Sequence, residues 1–351
     1  MSGAGAASNG TGSGVGADLA TPPPAAQPSA PEPARKSGGW SSLLSRVATA
    51  LVVGAVGGYG VFRGGWLYAT FVALISWMCT LEYIGLVTSK RLPKGLKAPP
   101  LLLRRTMVGL CVGMIAAAHF GIRTGVFETA AFVLLCMLLI TRAGKRKPKK
   151  RKVRFSELTT LVFGLFYCGY LPTFWVRLRG VSVVATGAAS AASAAGAGTA
   201  PTVGLLATLV AVLSVVAADT GAYFGGKFFG RNPLISISPN KTVEGAVAGF
   251  LSSLAITLAF NRVVGWPGNA LICTLLAVVT FVASVFGDLI ESSMKRAAGK
   301  KDSGSILPGH GGCLDRFDSY IFTSVLNYCV VYWYYWAMGT PISSLIIIPP
   351  R

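Results

Sequence analysis

The sequence predicts an all-α polytopic membrane protein with eight or nine transmembrane helices. Of its 351 residues, 52% are hydrophobic and only 13% are charged, whereas a soluble domain carries about 25% charged residues. From Trp40 onward, apolar stretches alternate with short polar breaks, and a spanning helix needs about 20 mostly apolar residues. Positive charge also falls mainly on one side of the predicted spans, which supports the same fold class.

The apolar stretches divide the chain into nine candidate spans. The third and fourth are short, and residues 101–141 can be divided in another way, so the prediction is eight or nine spans. In chain order, the candidates are roughly 43–62, 66–88, 106–121, 126–141, 156–176, 203–224, 245–263, 269–290 and 318–338.

The distribution of Lys and Arg tests this division. With the N-terminus on the side called inside, 26 of the 32 Lys and Arg residues fall inside and six fall outside. Such an excess is typical of the inside loops of membrane proteins. We therefore interpret the net charge of +20 as a topology signal that favours anionic lipid or phosphate-bearing substrates, and not nucleic acid.

Several segments lie outside the predicted spans. Residues 1–39 are rich in Gly, Ala, Ser and Pro, which predicts a disordered tail or a transit peptide before a transmembrane domain over residues 40–338. Residues 339–351 form a predicted C-terminal tail. The repeats of residues 185–200 are typical of a flexible linker, and the cationic run 145–154 is interpreted as a topology determinant that touches headgroups.

The acidic residues are few and concentrated. Carboxylates near a bilayer are costly and usually functional, and all of those between residues 219 and 318 fall on inside loops or at the inside ends of spans. Three distant pieces of sequence therefore converge on one face. Seven of the 12 acids lie in this part: Asp219, Glu244, Asp288, Glu291, Asp302, Asp315 and Asp318.

The first piece is "AADTGAYFGGKFFG" followed by "SISPNKTVEG". Asp219 lies near the inside end of its span, and small residues after it allow close helix approach. Ser238 followed by Pro239 predicts an N-cap and a first helical position. The start of that helix, with Lys241 and Thr242, could bind an anion or could be an ordinary capped helix.

The second piece is "GDLIESSMKR". Asp288, Ser292 and Lys295 are spaced i, i+4 and i+7, so they share one face of a helix at the inside end of a span. The stripe could be a polar edge stabilised by a salt bridge. It could equally present a metal ligand beside a phosphate-binding lysine.

The third piece is the polar loop "GKKDSGSILPGHGGCLDRFDSY", residues 299–320. Asp315 and Asp318 are three residues apart at the start of the last span, so their carboxylates point to one side, as a hard cation such as Mg²⁺ requires. Arg316 and Lys301 suit phosphates, and His310 is a further candidate in the loop. Acids for a metal and cations for phosphates at a membrane surface together indicate phosphoryl or nucleotidyl transfer on a lipid.

The segment "SSMKRAAGKKDSGSILPGHGGCLDRFD" (292–318) resembles the signature of the phosphatidate cytidylyltransferase (CDP-diacylglycerol synthase) family. "SISPNKTVEG" is similar to the family's Ser-Pro-Lys-Lys-Thr-Trp-Glu-Gly segment, from which Asn240 and Val243 depart. Residues 155–180 resemble the plastid and cyanobacterial branch. The resemblance covers roughly 66–338 and is densest after residue 215, so the catalytic part is placed at about 215–320.

The resemblance implies a reaction and its components. CTP and phosphatidate would give CDP-diacylglycerol and pyrophosphate in phospholipid (phosphatidylglycerol) biosynthesis, with Mg²⁺ and an open question of a second cation. It implies Asp288, Asp315 and Asp318 as metal ligands, and Lys295 as catalytic together with the last two. A chloroplast membrane is implied, with another organelle membrane and a homodimer left open. The implied substrate-binding residues are Asp219, Ser238, Lys241, Thr242, Ser292, Lys295, Arg296, Lys301, His310 and Arg316.

Two other functions compete with this interpretation. A CTP-dependent lipid kinase would use the same membrane architecture. A polytopic transporter with acids inside the membrane, at Glu82, Glu128 and Glu157, would share the composition. A transporter would not require the loop rich in Lys, Arg and paired Asp.

Overall fold

The computed structural model describes residues 40–89, 99–122, 125–144, 155–185, 201–235, 238–267, 269–307 and 311–340. The predicted N-terminal tail, the run 145–154, nearly all of the linker 185–200, His310 and residues 341–351 lie outside the described residues. The helices are α1 (Trp40–Arg63), α2 (Gly65–Val87), α3 (Leu101–His119), α4 (Val126–Gly144), α5 (Phe155–Gly164), α6 (Thr173–Arg179), α7 (Val203–Phe229), α8 (Val243–Val264), α9 (Ala270–Ala297) and α10 (Leu314–Ala337).

Six helical segments among the described residues are long and apolar enough to cross a membrane. They are α2, α3, the segment Ser156–Arg179, α7, α8 and α9. The apolar parts of α1 (Val47–Arg63) and α4 (Val126–Thr141) are shorter. A predominantly helical membrane protein is therefore confirmed.

The segment Ser156–Arg179 joins α5 and α6 through a π-helical turn, Leu165–Tyr170. The wider turn is closed by the N–H of Leu171, which donates to the carbonyl of Phe166 at 3.0 Å. Pro172 then follows and has no N–H to continue the ladder. The predicted span 156–176 is thus a single interrupted helix.

A short β-hairpin departs from the all-α prediction. β1 (Pro233–Ile235) pairs antiparallel with β2 (Ser238–Thr242). The predicted helix start at Ser238 and Pro239 is therefore wrong: α8 begins at Val243. Thr242 is its N-cap, because the Thr242 hydroxyl accepts a hydrogen bond from the Gly245 N–H at 3.1 Å.

Helices α7 and α8 pack through small residues, as the sequence predicted. A Cβ atom added to Gly225 would lie 2.3 Å from the Cβ atom of Ala248, and one added to Gly221 would lie 2.2 Å from the hydroxyl oxygen of Ser252. The absence of side chains at these glycines lets the two backbones approach closely. This contact holds the hairpin beside the end of α7.

Two apolar clusters form the interior of the part of the chain that the structure describes. One joins α2, α6, α7 and the end of α10, and the other joins α2, α3, α5 and the beginning of α10. Both clusters contain α2 and α10, so these helices tie the two parts of the bundle together. The polar residues of the C-terminal third gather at the end of the bundle where α10 begins.

Candidate active site

A cavity of about 770 Å³ opens between α7, the hairpin, α8, α9 and α10. It gathers residues from all three of the sequence pieces that were expected to converge. The predicted site residues that line it are Asp219, Lys241, Thr242, Asp288, Asp315, Arg316 and Asp318.

Helices α9 and α10 approach each other closely beside the cavity. A Cβ atom added to Gly287 would lie 2.2 Å from the carbonyl oxygen of Asp318. Only a glycine permits this contact, and it brings Asp288, the next residue, beside the start of α10. Asp318 is 4% exposed, and the N–H of Ser319 donates to its carboxylate at 2.7 Å.

Three carboxylates share one region of the cavity. Asp318, Asp288 and Asp219 all line it, and like charges in one cavity disfavour one another. The Ser284 hydroxyl donates to Asp219 at 3.3 Å, and Lys241 forms an ion pair with Asp288. Oxygen donors with this excess of negative charge suit a hard divalent cation.

No three His, Cys, Asp or Glu side chains within the described ranges form a ready-made metal-binding group. The carboxylate of Asp288 forms an ion pair with the Lys241 ammonium. The chemistry of the donors therefore fits a cation, provided that the ion pair with Lys241 opens when the cation binds.

Asp315 is held differently from the other aspartates. Its carboxylate accepts hydrogen bonds from the Lys295 ammonium at 2.8 Å, from the Gly312 N–H at 2.9 Å and from the Ser303 N–H at 3.0 Å. Burial raises the pKa of Asp315, but its hydrogen bonds and the positive charge of Lys295 outweigh burial and lower it to about 2. The Asp315 carboxylate therefore joins the polar loop to Lys295 on α9.

Lys295 joins α9 to α10 beside the cavity. Its ammonium lies 2.8 Å from Asp315 and 2.5 Å from Glu291, whose side chain is completely buried. The predicted helical stripe of Asp288, Ser292 and Lys295 is thus on the continuous helix α9, and its lysine faces α10. A buried pair of this kind is costly to break, because one charge would remain unpaired.

The other predicted residues do not line the cavity among the described residues. Ser238 is in β2, Ser292 is half-buried on α9, and Arg296 and Lys301 are exposed. His310 lies outside the described residues. The predictions of their roles stay predictions.

Four further residues contribute to the site and were not among the predicted site residues. Lys227 lines the cavity, Ser284 bonds to Asp219, Glu291 pairs with Lys295, and Glu82 of α2 binds the polar loop. The spacing of Glu291, four residues before Lys295, is a helical ion-pair signal that sequence reasoning could have used. Glu82 has no comparable local signal.

A second cavity, of about 720 Å³, lies next to the first. It is lined mainly by apolar side chains of α1, α2 and α7 and by the beginning of α10. Val216, Arg316 and Tyr320 line both cavities. The charged cavity and the apolar cavity therefore share the guanidinium group of Arg316 as part of their lining.

Fold and site together define a membrane-embedded protein whose polar chamber suits phosphate chemistry. The model of the cytidylyltransferase family matches residues 44–334, and the chain belongs to this family. It is 43% identical over 296 residues, or 83% of this chain and 72% of the relative, to phosphatidate cytidylyltransferase 5, chloroplastic, of Arabidopsis thaliana. It is 36% identical over 293 residues, or 82% of this chain and 95% of the relative, to phosphatidate cytidylyltransferase of Synechocystis. The predicted family is confirmed.

Replacing Gly287 with alanine tests the contact between α9 and α10. The added methyl group would push against the Asp318 carbonyl, so Gly287→Ala should cost about 1–3 kcal/mol of stability and should also lower turnover. Thermal unfolding in detergent and a turnover assay measure the two effects. Gly109→Ala is the matched control, because nothing lies within 4 Å of a Cβ atom at Gly109 in α3; equal behaviour of the two variants would contradict the close contact.

Proposed function

We propose that this protein transfers the CMP group of CTP to phosphatidate, giving CDP-diacylglycerol and pyrophosphate. The observation that carries the proposal is the meeting of a charged cavity with an apolar cavity at Arg316. The names of its relatives, phosphatidate cytidylyltransferases, support the same reaction. A lipid that carries a phosphate needs both kinds of surface at once.

The reaction joins two phosphates. An oxygen of the phosphatidate phosphate attacks the α-phosphorus of CTP, and the bond from that phosphorus to the bridging oxygen of pyrophosphate breaks. The attacking phosphate is already ionised near neutral pH, so no side chain has to remove a proton. Arg316 is proposed to neutralise the charge that develops on the leaving pyrophosphate, and Lys241 and Lys227 add positive charge to the cavity. Lys295, which does not line the cavity and pairs with Asp315 and Glu291, stays a predicted catalytic residue.

Asp288 and Asp318 are proposed to hold Mg²⁺, with Asp219 beside them. All three carboxylates line the same cavity and offer oxygen donors, which supports this assignment. A bound divalent cation would supply positive charge for the phosphate oxygens. Asp315 was predicted as a third ligand; its bonds to Lys295, Ser303 and Gly312 favour a role in holding the loop, and its metal role, like a second cation, stays a prediction.

The apolar cavity is proposed to receive the acyl chains of phosphatidate. It is lined by Val53, Phe71 and Leu213 among other apolar side chains, and it shares Tyr320 with the polar cavity. This arrangement would place the lipid phosphate near Arg316 while the acyl chains stay in apolar surroundings.

The protein's location follows from its helices and its relatives. Chloroplastic relatives at 43% and 42% identity and several apolar helices indicate an integral protein of a chloroplast membrane, as predicted. Supply of CDP-diacylglycerol to phosphatidylglycerol synthesis and assembly as a homodimer are proposals that extend this assignment.

Nine passes through the membrane are proposed, with α1, α4 and α10 added to the six long apolar segments. The loops 142–155 and 291–317 then lie on the same side. Single cysteines placed in each loop, in a background without the native seven, should react with an impermeant reagent from the same face. Labelling from opposite faces of the membrane would contradict the proposed number of passes between the two loops.

Replacing the proposed metal ligands tests the role of the carboxylates. Asp318→Asn and Asp288→Asn keep the side-chain shape and remove the charge, so turnover should fall by about 100-fold or more. Removal of Mg²⁺ with a chelator should have the same effect on the wild-type protein. If Asp318→Asn retained most of its turnover at saturating Mg²⁺ while folded, the assignment of Asp318 would be wrong.

Isotopic labelling distinguishes the proposed transferase from a lipid kinase. With CTP labelled at the α-phosphate, the label should enter lipid together with the cytidine, and pyrophosphate should be released. A kinase would instead move the γ-phosphate to lipid and release CDP. A folded protein that moves no cytidine into phosphatidate micelles with any divalent cation would overturn the proposed function.

A further inference from the structure

Glu82, on α2, binds the polar loop from outside the reaction cavity. Its side chain is 4% exposed. One carboxylate oxygen accepts the N–H of Cys313 at 3.0 Å, and the other accepts the N–H of Leu314 at 2.8 Å and the hydroxyl of Ser303 at 2.9 Å. Three donors from the loop therefore converge on a single buried carboxylate.

These bonds cap the helix that carries two site aspartates. The first N–H groups of a helix have no partner within the helix, and the N-cap of α10, Cys313, supplies no side-chain acceptor. Glu82 supplies that acceptor from another helix, with a negative charge at the positive end of the helix dipole. The start of α10 is thus fixed by α2.

Ser303 connects this cap to Asp315. Its hydroxyl bonds to Glu82 while its N–H donates to Asp315. The space around the connection is filled, because a Cβ atom on Gly312 would lie 1.9 Å from the Ser303 hydroxyl oxygen and 2.6 Å from the Glu82 carboxylate. The loop has little room to adopt another arrangement here.

We propose that Glu82 is a positioning residue for the transfer reaction. Its carboxylate holds the beginning of α10 in place, and through α10 it sets the positions of Asp315 and Asp318 against α9. Glu82 does not line the reaction cavity, so it acts through the loop and not on the substrates. The kinetic part of this proposal rests on the proposed function; its structural part does not.

Glu82→Gln keeps the size of the side chain but removes its charge and one of its two acceptor oxygens. An amide has one oxygen, so in either orientation its NH₂ group faces the N–H of Cys313 or of Leu314, and a buried donor loses its partner. The start of α10 should loosen. Because misplacement of reacting groups by about 1 Å can cost about 100-fold in rate, turnover should fall at least tenfold, and the Mg²⁺ concentration for half-maximal rate should rise.

Hydrogen exchange supplies a readout that does not depend on activity. The amides of residues 303–318 should exchange faster in Glu82→Gln than in the wild-type protein, while amides of α3 should keep their rates. Glu82→Asp keeps the charge on a shorter side chain and should recover part of both the turnover and the protection. Unchanged exchange over 303–318 would overturn the positioning role whatever the activity.

Glu128→Gln is the matched control. Glu128 is an acid whose side chain is 11% exposed, and it pairs with Arg177 at 3.2 Å, away from the loop. Its replacement should lower thermal stability without raising the Mg²⁺ requirement. If Glu82→Gln and Glu128→Gln change turnover equally, per folded molecule, Glu82 has only a structural role.

A double-mutant cycle tests the connection through Ser303. Ser303→Ala removes the hydroxyl but keeps the N–H that binds Asp315, so alone it should lower turnover less than Glu82→Gln. Combined with Glu82→Gln it should lower turnover by less than the product of the two single effects, because Ser303 and Glu82 belong to one hydrogen-bonded group. Fully additive effects would show that Ser303 and Glu82 act independently and would contradict the connection through Ser303. A wild-type protein that transfers no cytidine would refute the proposed function, and hydrogen exchange would still decide the positioning role.

Discussion

The contact between α9 and α10 at Gly287 governs the geometry of the whole site. The Asp318 carbonyl occupies the space that a side chain would need at Gly287, so the two helix backbones meet where their carboxylates begin. Close approach of like charges is unfavourable unless cations offset it. The positive charge of Lys241 offsets the charge of Asp288, and that of Lys295 offsets the charges of Asp315 and Glu291. The polar residues around the contact can therefore be understood as the compensation that this approach requires.

Much of the architecture was predictable because membrane proteins obey simple local constraints. Spans need apolar length, and basic residues gather on one side. These two constraints placed Asp219, Asp288 and Asp315 at the same end of the bundle before any contact was known, and the structure brings all three to one cavity. The helical spacing of Asp288 and Lys295 likewise predicted a shared face on α9. The sequence therefore predicted at which end of the bundle, and on which face of its helix, each of these residues lies.

The parts that could not be predicted depend on contacts between distant segments. Cys313 and Glu82 are separated by 231 positions, and no local pattern links a carboxylate on α2 with the N-terminus of α10. The prediction of a helix start at Ser238 was wrong for a related reason. The strand Ser238–Thr242 forms by pairing with Pro233–Ile235, a contact that its own sequence does not indicate. Ser238 and Pro239 form an ordinary helix-start signal, but the pairing and the Thr242 cap move that start to Val243.

The two adjoining cavities impose a further constraint on the substrate. Charged groups are strongly hydrated, and acyl chains are not, so one chamber cannot receive both without a cost in solvation. Arg316 lines both chambers, and a guanidinium group can bind phosphate oxygens with two parallel hydrogen bonds. A free nucleotide would use only the polar chamber, and a neutral lipid would use only the apolar one. A phosphorylated lipid would use both, and in the proposed reaction its phosphate would lie at the boundary, within reach of a second phosphate bound among Lys227, Lys241 and the carboxylates.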